Sequence, residues 1–298
     1  YGDHRDLHLS IRRQRQMCIR DSMRFTIIFF AFIISLNTIT AQDYFLENNG
    51  PYDNTILTPE QYLGYEIGFE HTRHDLIVAY LKYLSNISEK AQIIKYGESH
   101  EGRDLIMLTV SSTENLNNLE NIKNNHLKHT VPGLKTDIDS SLPIIVNLGY
   151  GVHGNEPSSA EAAILSAYTL VASNNDKIKR LIENSVIFID PTINPDGRDR
   201  HSQWANQYKS INLVADSNDA EHNEAWPRGR TNHYWFDLNR DWLLGINPES
   251  RGKLEWYHSW YPNVVTDFHE MGTNSNYFFE PMKRNASVKP MIPDENYS

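Results

Sequence analysis

Apolar positions along this chain come in two arrangements, short unbroken runs and stripes at helical spacing. Residues 142–148 (LPIIVNL), 186–189 (VIFI) and 263–268 (NVVTDF) are runs suited to buried strands. Residues 96–110 (YGESHEGRDLIMLTV) read as a turn and a further strand. Residues 75–84 (DLIVAYLKYL) set Leu76, Ile77, Tyr80, Leu81 and Leu84 on one helical stripe that can lie on a sheet. Residues 158–172 (SSAEAAILSAYTLVA) are alanine-rich and begin with serine just after Pro157, which predicts a helix starting there. The 186–189 run leads into Asp190-Pro191 and a turn at 194–197 (NPDG). Residues 115–141 are polar, carry the pairs Asn117-Asn118 and Asn124-Asn125, and read as a surface excursion. Alternating strands and helices favour an α/β fold, with a mostly parallel or mixed central sheet and helices on both faces.

Composition narrows the class without naming a function. With 298 residues, 39% of them hydrophobic and 22% charged, the chain can build a core of ordinary size, and one domain is expected. The formal net charge is −10; residues 1–41 hold six Arg against three Asp, leaving −13 for the remainder, which argues against a nucleic-acid partner. The single cysteine, Cys18, lies in the leader, so the rest of the chain has neither disulfides nor a thiol nucleophile, and a metal must be held by His and carboxylate. Residues 23–41 (MRFTIIFFAFIISLNTITA) carry one Arg, an apolar run over 25–36 and a polar end closing on a small residue. That is the layout of a secretory signal peptide, and the run is short for a membrane span, a membrane anchor being the alternative. A secreted or periplasmic protein is expected, with no stable membrane span in the mature chain. Residues 1–22 are Arg-rich, lack an apolar period and read as a non-native leader.

The candidate chemistry sits where two predicted strands end. His153 and Glu156 follow the first run in residues 151–157 (GVHGNEP), and His269 follows the run at 263–268. Two imidazoles and a carboxylate leaving neighbouring strands suit one zinc ion, which in catalytic sites takes three N and O ligands and keeps a fourth position open. The HxxE spacing alone discriminates little in a chain with 13 His, so the surrounding motifs have to carry the assignment. Gly151 and Gly154 permit the tight backbone that convergence needs. The plain alternatives are a hydrogen-bonded loop histidine at 153, a surface charge at 156 and a core histidine at 269. His71, His74, His222 and His258 show no paired ligand spacing and read as solvated or capping residues. Asp267 reads as a structural carboxylate on the opposite face of the strand from His269.

Taken in order, GVHGNEP after a strand, NPDG, Gly229-Arg230, FDLNRDW at 236–242 and a strand ending in His269 resemble the metallocarboxypeptidases, the carboxypeptidase A-like zinc peptidases. Arg230 precedes Asn239 by nine residues, as the family's glycine-arginine pair precedes its aspartate-leucine-asparagine-arginine block. The resemblance covers residues 65–281, including the run 270–281 (EMGTNSNYFFEP). It implies that His153, Glu156 and His269 hold one Zn2+ and that Arg230 stabilises the oxyanion. It also implies that Asn239 and Arg240 hold a terminal carboxylate, where a planar guanidinium can make two parallel hydrogen bonds. The substrate would be a peptide or amide with a free carboxylate, hydrolysed by a metal-activated water. Without the resemblance, Arg230, Asn239 and Arg240 read equally as a solvated basic face.

The family's general base is a glutamate well beyond the third zinc ligand, and only 29 residues follow His269. The expectation is therefore a catalytic domain over 42–298 that is incomplete at its C-terminal side. Glu270, the neighbour of a ligand, is expected to point away from the metal, and Glu280 is the next candidate. Cell-wall peptide amidases and deacylases of small amino-acid derivatives share this scaffold, and a catalytically inactive peptide-binding module is the reading from another class.

Overall fold

The computed structural model describes residues 41–130, 139–212 and 214–272, and the chain divides into two units, Tyr1–Asn48 and Asn49–Ser298. The expected leader at 1–22, the signal segment up to residue 40, Cys18 and Glu280 lie outside the described residues. Helix α1 covers Ala41–Asn49. Among the described residues no helix is long and apolar enough to cross a membrane.

The second unit is built on a five-stranded sheet. β1 (Ala91–Glu98) and β2 (Asp104–Val110) form an antiparallel hairpin, and β3 (Ile144–Tyr150), β4 (Ser185–Asp190) and β5 (Val264–Phe268) run parallel. The order is β1-β2-β4-β3-β5, with β2 antiparallel to β4, so the sheet is mixed. β4 sits in the middle with all six residues buried, which is why its run shows no polar alternation.

Helices cover both faces. The short α2 (Pro59–Leu63) starts in a capping box made by Thr58 and Gln61, and α3 (His74–Ile87) follows. On one face α3 packs against β1, β2 and α6 (Pro157–Ala172), and α6 packs against β2, β3 and β4. Four of the five predicted stripe positions are what α3 buries, Ile77, Tyr80, Leu81 and Leu84 all at 0% exposure and each worth about 1.5–3 kcal/mol if aliphatic, while Leu76 is only half-buried and Val78 is buried in addition. His74, expected to be solvated or capping, is instead buried at the start of α3, where its Nε2 lies 2.9 Å from the Asp104 carbonyl oxygen.

The polar stretch expected as a surface excursion is helical up to residue 128. α4 (Thr113–Asn117) is capped by Ser112 Oγ, which accepts the Asn115 N–H at 3.1 Å, and α5 (Leu119–Lys128) follows. Leu116, Leu119 and Ile122 recur every three residues, a narrow apolar stripe that the asparagine-rich composition hides. Ile122 joins the opposite face of the sheet, where Trp256 and Trp260 of α9 (Pro248–Trp260) pack on Phe188 with Met107, Ile145 and Val186. α7 (Asp176–Glu183) contacts β4, and α8 (Pro195–Tyr208), which begins inside the NPDG turn, contacts α3.

Candidate metal centre

β3 and β5 are adjacent and in register, with Tyr150 opposite Phe268 and their rings stacked at 4.4 Å. Parallel neighbours end at the same edge of a sheet, so the loops that follow them open side by side. His153 lies in the loop after β3, Glu156 is the N-cap residue of α6, and His269 directly follows β5. Their donor atoms all lie within 4.8 Å of one another, the one such group among the described residues. Glu156 stands between the imidazoles: Oε1 is 2.8 Å from His153 Nδ1 and Oε2 is 3.1 Å from His269 Nδ1. The side chains are 3%, 12% and 32% exposed for His153, Glu156 and His269, so the cluster is dry at one end and open at the other.

This donor set fits zinc. In a tetrahedral shell with ligands at about 2.0–2.2 Å, ligand atoms lie roughly 3.3 Å apart, near the 2.8 and 3.1 Å from Glu156 to the two imidazoles and inside the 4.8 Å that bounds the whole set. Both imidazoles turn Nδ1 toward Glu156, and each has a carboxylate behind Nε2: Asp237 Oδ1 at 3.0 Å for His153 and Asp267 Oδ2 at 2.8 Å for His269. For His153 the carboxylate at the far nitrogen favours a proton there, which leaves the lone pair on Nδ1 for a metal; at His269 Nε2 the Asn239 amide nitrogen, also a donor, competes with Asp267. Asp267 was expected on the opposite face of the strand, but a strand repeats every two residues, so positions 267 and 269 share a side.

Electrostatics of the cluster follow from these contacts. Burial works against a charged His153, but hydrogen bonds to Glu156 and Asp237 outweigh it and raise its pKa above the usual histidine value. Burial would raise Glu156, yet the hydrogen bonds from His153 and the Glu270 backbone N–H, with the nearby imidazoles, hold it below the usual carboxylate range. Asp237 is also held low: burial opposes this, and His153 and Arg230 outweigh it.

Arg230 flanks the ligands. Its Nη1 is 3.3 Å from His153 Nδ1, and its Nε and Nη2 donate to Asp237 Oδ2 at 3.2 and 2.9 Å. The NPDG turn has a structural part in this. Asn194 Oδ1 accepts the Gly197 N–H at 2.9 Å to cap α8, while Asn194 Nδ2 donates to the Arg230 carbonyl at 3.1 Å. Asn239 and Arg240 occupy a single 3-10 turn, Leu238–Arg240, started by Asp237 Oδ1 accepting the Asn239 N–H at 3.0 Å. Asn239 Nδ2 lies 3.1 Å from His269 Nε2, while its Oδ1 accepts from Trp242 Nε1 at 3.0 Å. Arg240 is exposed, and its Nη1 donates to the Asn239 carbonyl at 3.0 Å. Glu270 turns to the α6 N-terminus, where its Oε1 accepts the Ser158 N–H at 2.5 Å. The family-like run beyond residue 272 lies outside the described residues.

Close backbone approaches set these loops against one another. A Cβ at Gly154 would lie 2.1 Å from Arg198 N and 2.2 Å from Gly197 C, and one at Gly197 would lie 2.4 Å from the Gly229 oxygen. The metal loop, the NPDG turn and the Arg230 loop thus meet through three glycines. Arg198, fully buried, ties α8 to α6 by donating through Nη2 to Glu161 Oε1 at 2.5 Å, and to the segment before α3 by donating through Nε to the Thr72 carbonyl at 2.9 Å. A cleft of about 690 Å³ opens beside Glu156 and Arg230, with Asn155, His71, His201 and Glu224 on its wall.

The family model described as zinc carboxypeptidase matches residues 77–285, and the chain belongs to that family. The carboxypeptidase N catalytic chain of Homo sapiens is 24% identical over 230 residues, covering 72% of this chain and 45% of that protein. Carboxypeptidase E of Caenorhabditis elegans is 31% identical over 165 residues, covering 53% of this chain and 27% of that protein. The crystal structure of carboxypeptidase A from Helicoverpa armigera aligns with a TM-score of 0.43 at 16% identity, over 78% of this chain and 52% of that one. The chain spans less than half the length of the two curated relatives.

Proposed function

We propose that this protein is a secreted zinc-dependent carboxypeptidase that hydrolyses the peptide bond next to a free C-terminal carboxylate. The observation that carries the reading is the convergence of His153, Glu156 and His269 within 4.8 Å, with a carboxylate behind each imidazole and Arg230 alongside. The layout of residues 23–41 supports secretion. Zinc held by the three residues would acidify a water and polarise the scissile carbonyl, so no protein nucleophile is needed.

The chain's own residues supply the rest. Arg230, anchored by Asp237 through Nε and Nη2, keeps Nη1 on the His153 side, where a fixed donor can meet the negative charge that develops on the carbonyl oxygen. Asn239, set against His269, and the exposed Arg240 beside it support a clamp for the terminal carboxylate. Glu270 Oε1 is taken up by Ser158, so no proton transfer is assigned to it.

Two substitutions test the reading. Arg240→Ala should slow hydrolysis of free-acid peptides about 10-fold to 100-fold while barely changing their C-terminal amides, because only the acid offers a charge-assisted partner worth about 1.5–3 kcal/mol. His153→Ala should lose stoichiometric zinc on metal analysis. Full zinc retention, or equal loss on acid and amide, overturns the proposal.

A further inference from the structure

Glu224 belongs to none of the motifs and to no ligand set, yet its carboxylate joins the two loops that carry the site. Oε2 accepts from Asn155 Nδ2 at 2.9 Å, and Asn155 directly precedes Glu156. Oε1 accepts the Gly229 backbone N–H at 2.5 Å, and Gly229 directly precedes Arg230. His201 of α8 stands against the same oxygen, with Nδ1 at 3.2 Å but out of line for a well-formed hydrogen bond. Burial would raise the Glu224 carboxyl, but the His201 and Asn155 contacts, with the Gly229 N–H, hold it below the usual range.

The surroundings leave the bridged loop little room. A Cβ at Gly229 would meet the Gly197 oxygen and His201 Cβ, each at 2.5 Å, so the Arg230 loop already presses on α8 and cannot settle closer. On the other side Asn155 lies between Gly154, wedged against Arg198, and Glu156. One carboxylate therefore spans the gap between the metal loop and the arginine loop, and both of its short bonds come from uncharged N–H donors.

From this geometry we propose that Glu224 is a positioning residue, whose side chain sets the spacing between Glu156 and Arg230. It acts through its reach and its two acceptor bonds rather than through its charge. The inference rests on the function proposed above, since Glu156 and Arg230 are the groups it would hold in place.

The side-chain chemistry of Glu, Gln and Asp separates the possibilities. In Glu224→Gln, the amide oxygen can accept the Gly229 N–H while Nε2 donates to Asn155, whose own amide turns to offer its oxygen. Both links survive although the charge is gone. Glu224→Asp keeps the charge but is one methylene shorter and cannot reach both partners. In the full-length protein, Glu224→Asp should lower kcat for a free-acid peptide about 10-fold to 100-fold, the scale seen when support behind a metal site is removed, with KM within about threefold. Zinc affinity, read by competition with a chromophoric chelator, should fall several-fold. Glu224→Gln should restore both within about threefold, with thermal unfolding recorded for each variant.

In an Arg230→Ala background the Asp substitution should cost much less kcat than in wild type, because the donor it positions is already missing. An impaired Gln with an intact Asp would overturn the proposal in favour of a charge role. An undiminished Asp effect without Arg230 would overturn it in favour of a general structural role. A wild-type protein inactive on peptides would count against the proposed function, and the inference would then be decided by zinc: equal affinity in wild type and Glu224→Asp overturns it.

Discussion

Asp237→Asn should weaken zinc binding, and the reason can be worked from the donors around one carboxylate. Oδ1 faces His153 Nε2 at 3.0 Å and accepts the Asn239 N–H at 3.0 Å, while Oδ2 takes Arg230 Nε and Nη2 at 3.2 and 2.9 Å. Every partner needs an acceptor, so an amide must point its NH2 at another donor whichever way it turns. If the NH2 meets Arg230, the guanidinium loses its anchor; that side chain is 45% exposed, so the ion pair itself is worth only about 0–1 kcal/mol. If it meets His153, the imidazole must offer its lone pair at Nε2 and carry the proton on Nδ1, the nitrogen turned toward Glu156. His153 is 3% exposed, and water cannot make good the mismatch.

The second arrangement carries the larger effect. Changing the partner behind a metal-binding histidine typically costs 10-fold to 100-fold in affinity, about 1.4–2.7 kcal/mol. Zinc Kd should rise by that factor in chelator competition, and kcat should fall at least as far because Arg230 is loosened too. A zinc affinity within about threefold of wild type, with an unchanged melting curve, would refute the idea that Asp237 sets the histidine tautomer.

Two further outcomes follow from other parts of the structure. Gly154→Ala places a Cβ 2.1 Å from Arg198 N, a backbone atom that cannot swing away, so it should cost more than about 3 kcal/mol in chemical or thermal unfolding; less than about 1 kcal/mol would mean the loops separate easily. His71 is pushed down to about 3, by burial first and then by the neighbouring His201 and Arg198, whereas the unfolded chain takes up that proton near 6.5. Stability present above pH 6.5 should therefore be lost as the pH falls toward 3, at up to about 1.4 kcal/mol per pH unit, and His71→Gln should flatten that slope; an unchanged slope refutes the assignment.

Read alone, the sequence determined the class of fold and the family, because both depend on local order. The 186–189 run became the buried central strand β4, and the stripe at Ile77, Tyr80, Leu81 and Leu84 became the inner face of α3. That His153, Glu156 and His269 could converge was legible, since a loop after a strand, a three-residue spacing and a residue at a strand end are all local features. The helices α4 and α5 were missed because asparagine-rich composition masked a three-residue apolar spacing. Asp267 departs from the expectation because the two-residue strand period puts positions 267 and 269 on one side, where the carboxylate meets His269.

What only the tertiary structure decided is how these parts are held. Asp237 meets His153 across 84 residues, and Glu224 meets Asn155 across 69. No periodicity or spacing signals such contacts. They arise because β3 and β5 end at one edge of the sheet and three glycines let the loops that follow pack backbone to backbone, which brings carboxylates from distant loops behind the same few groups.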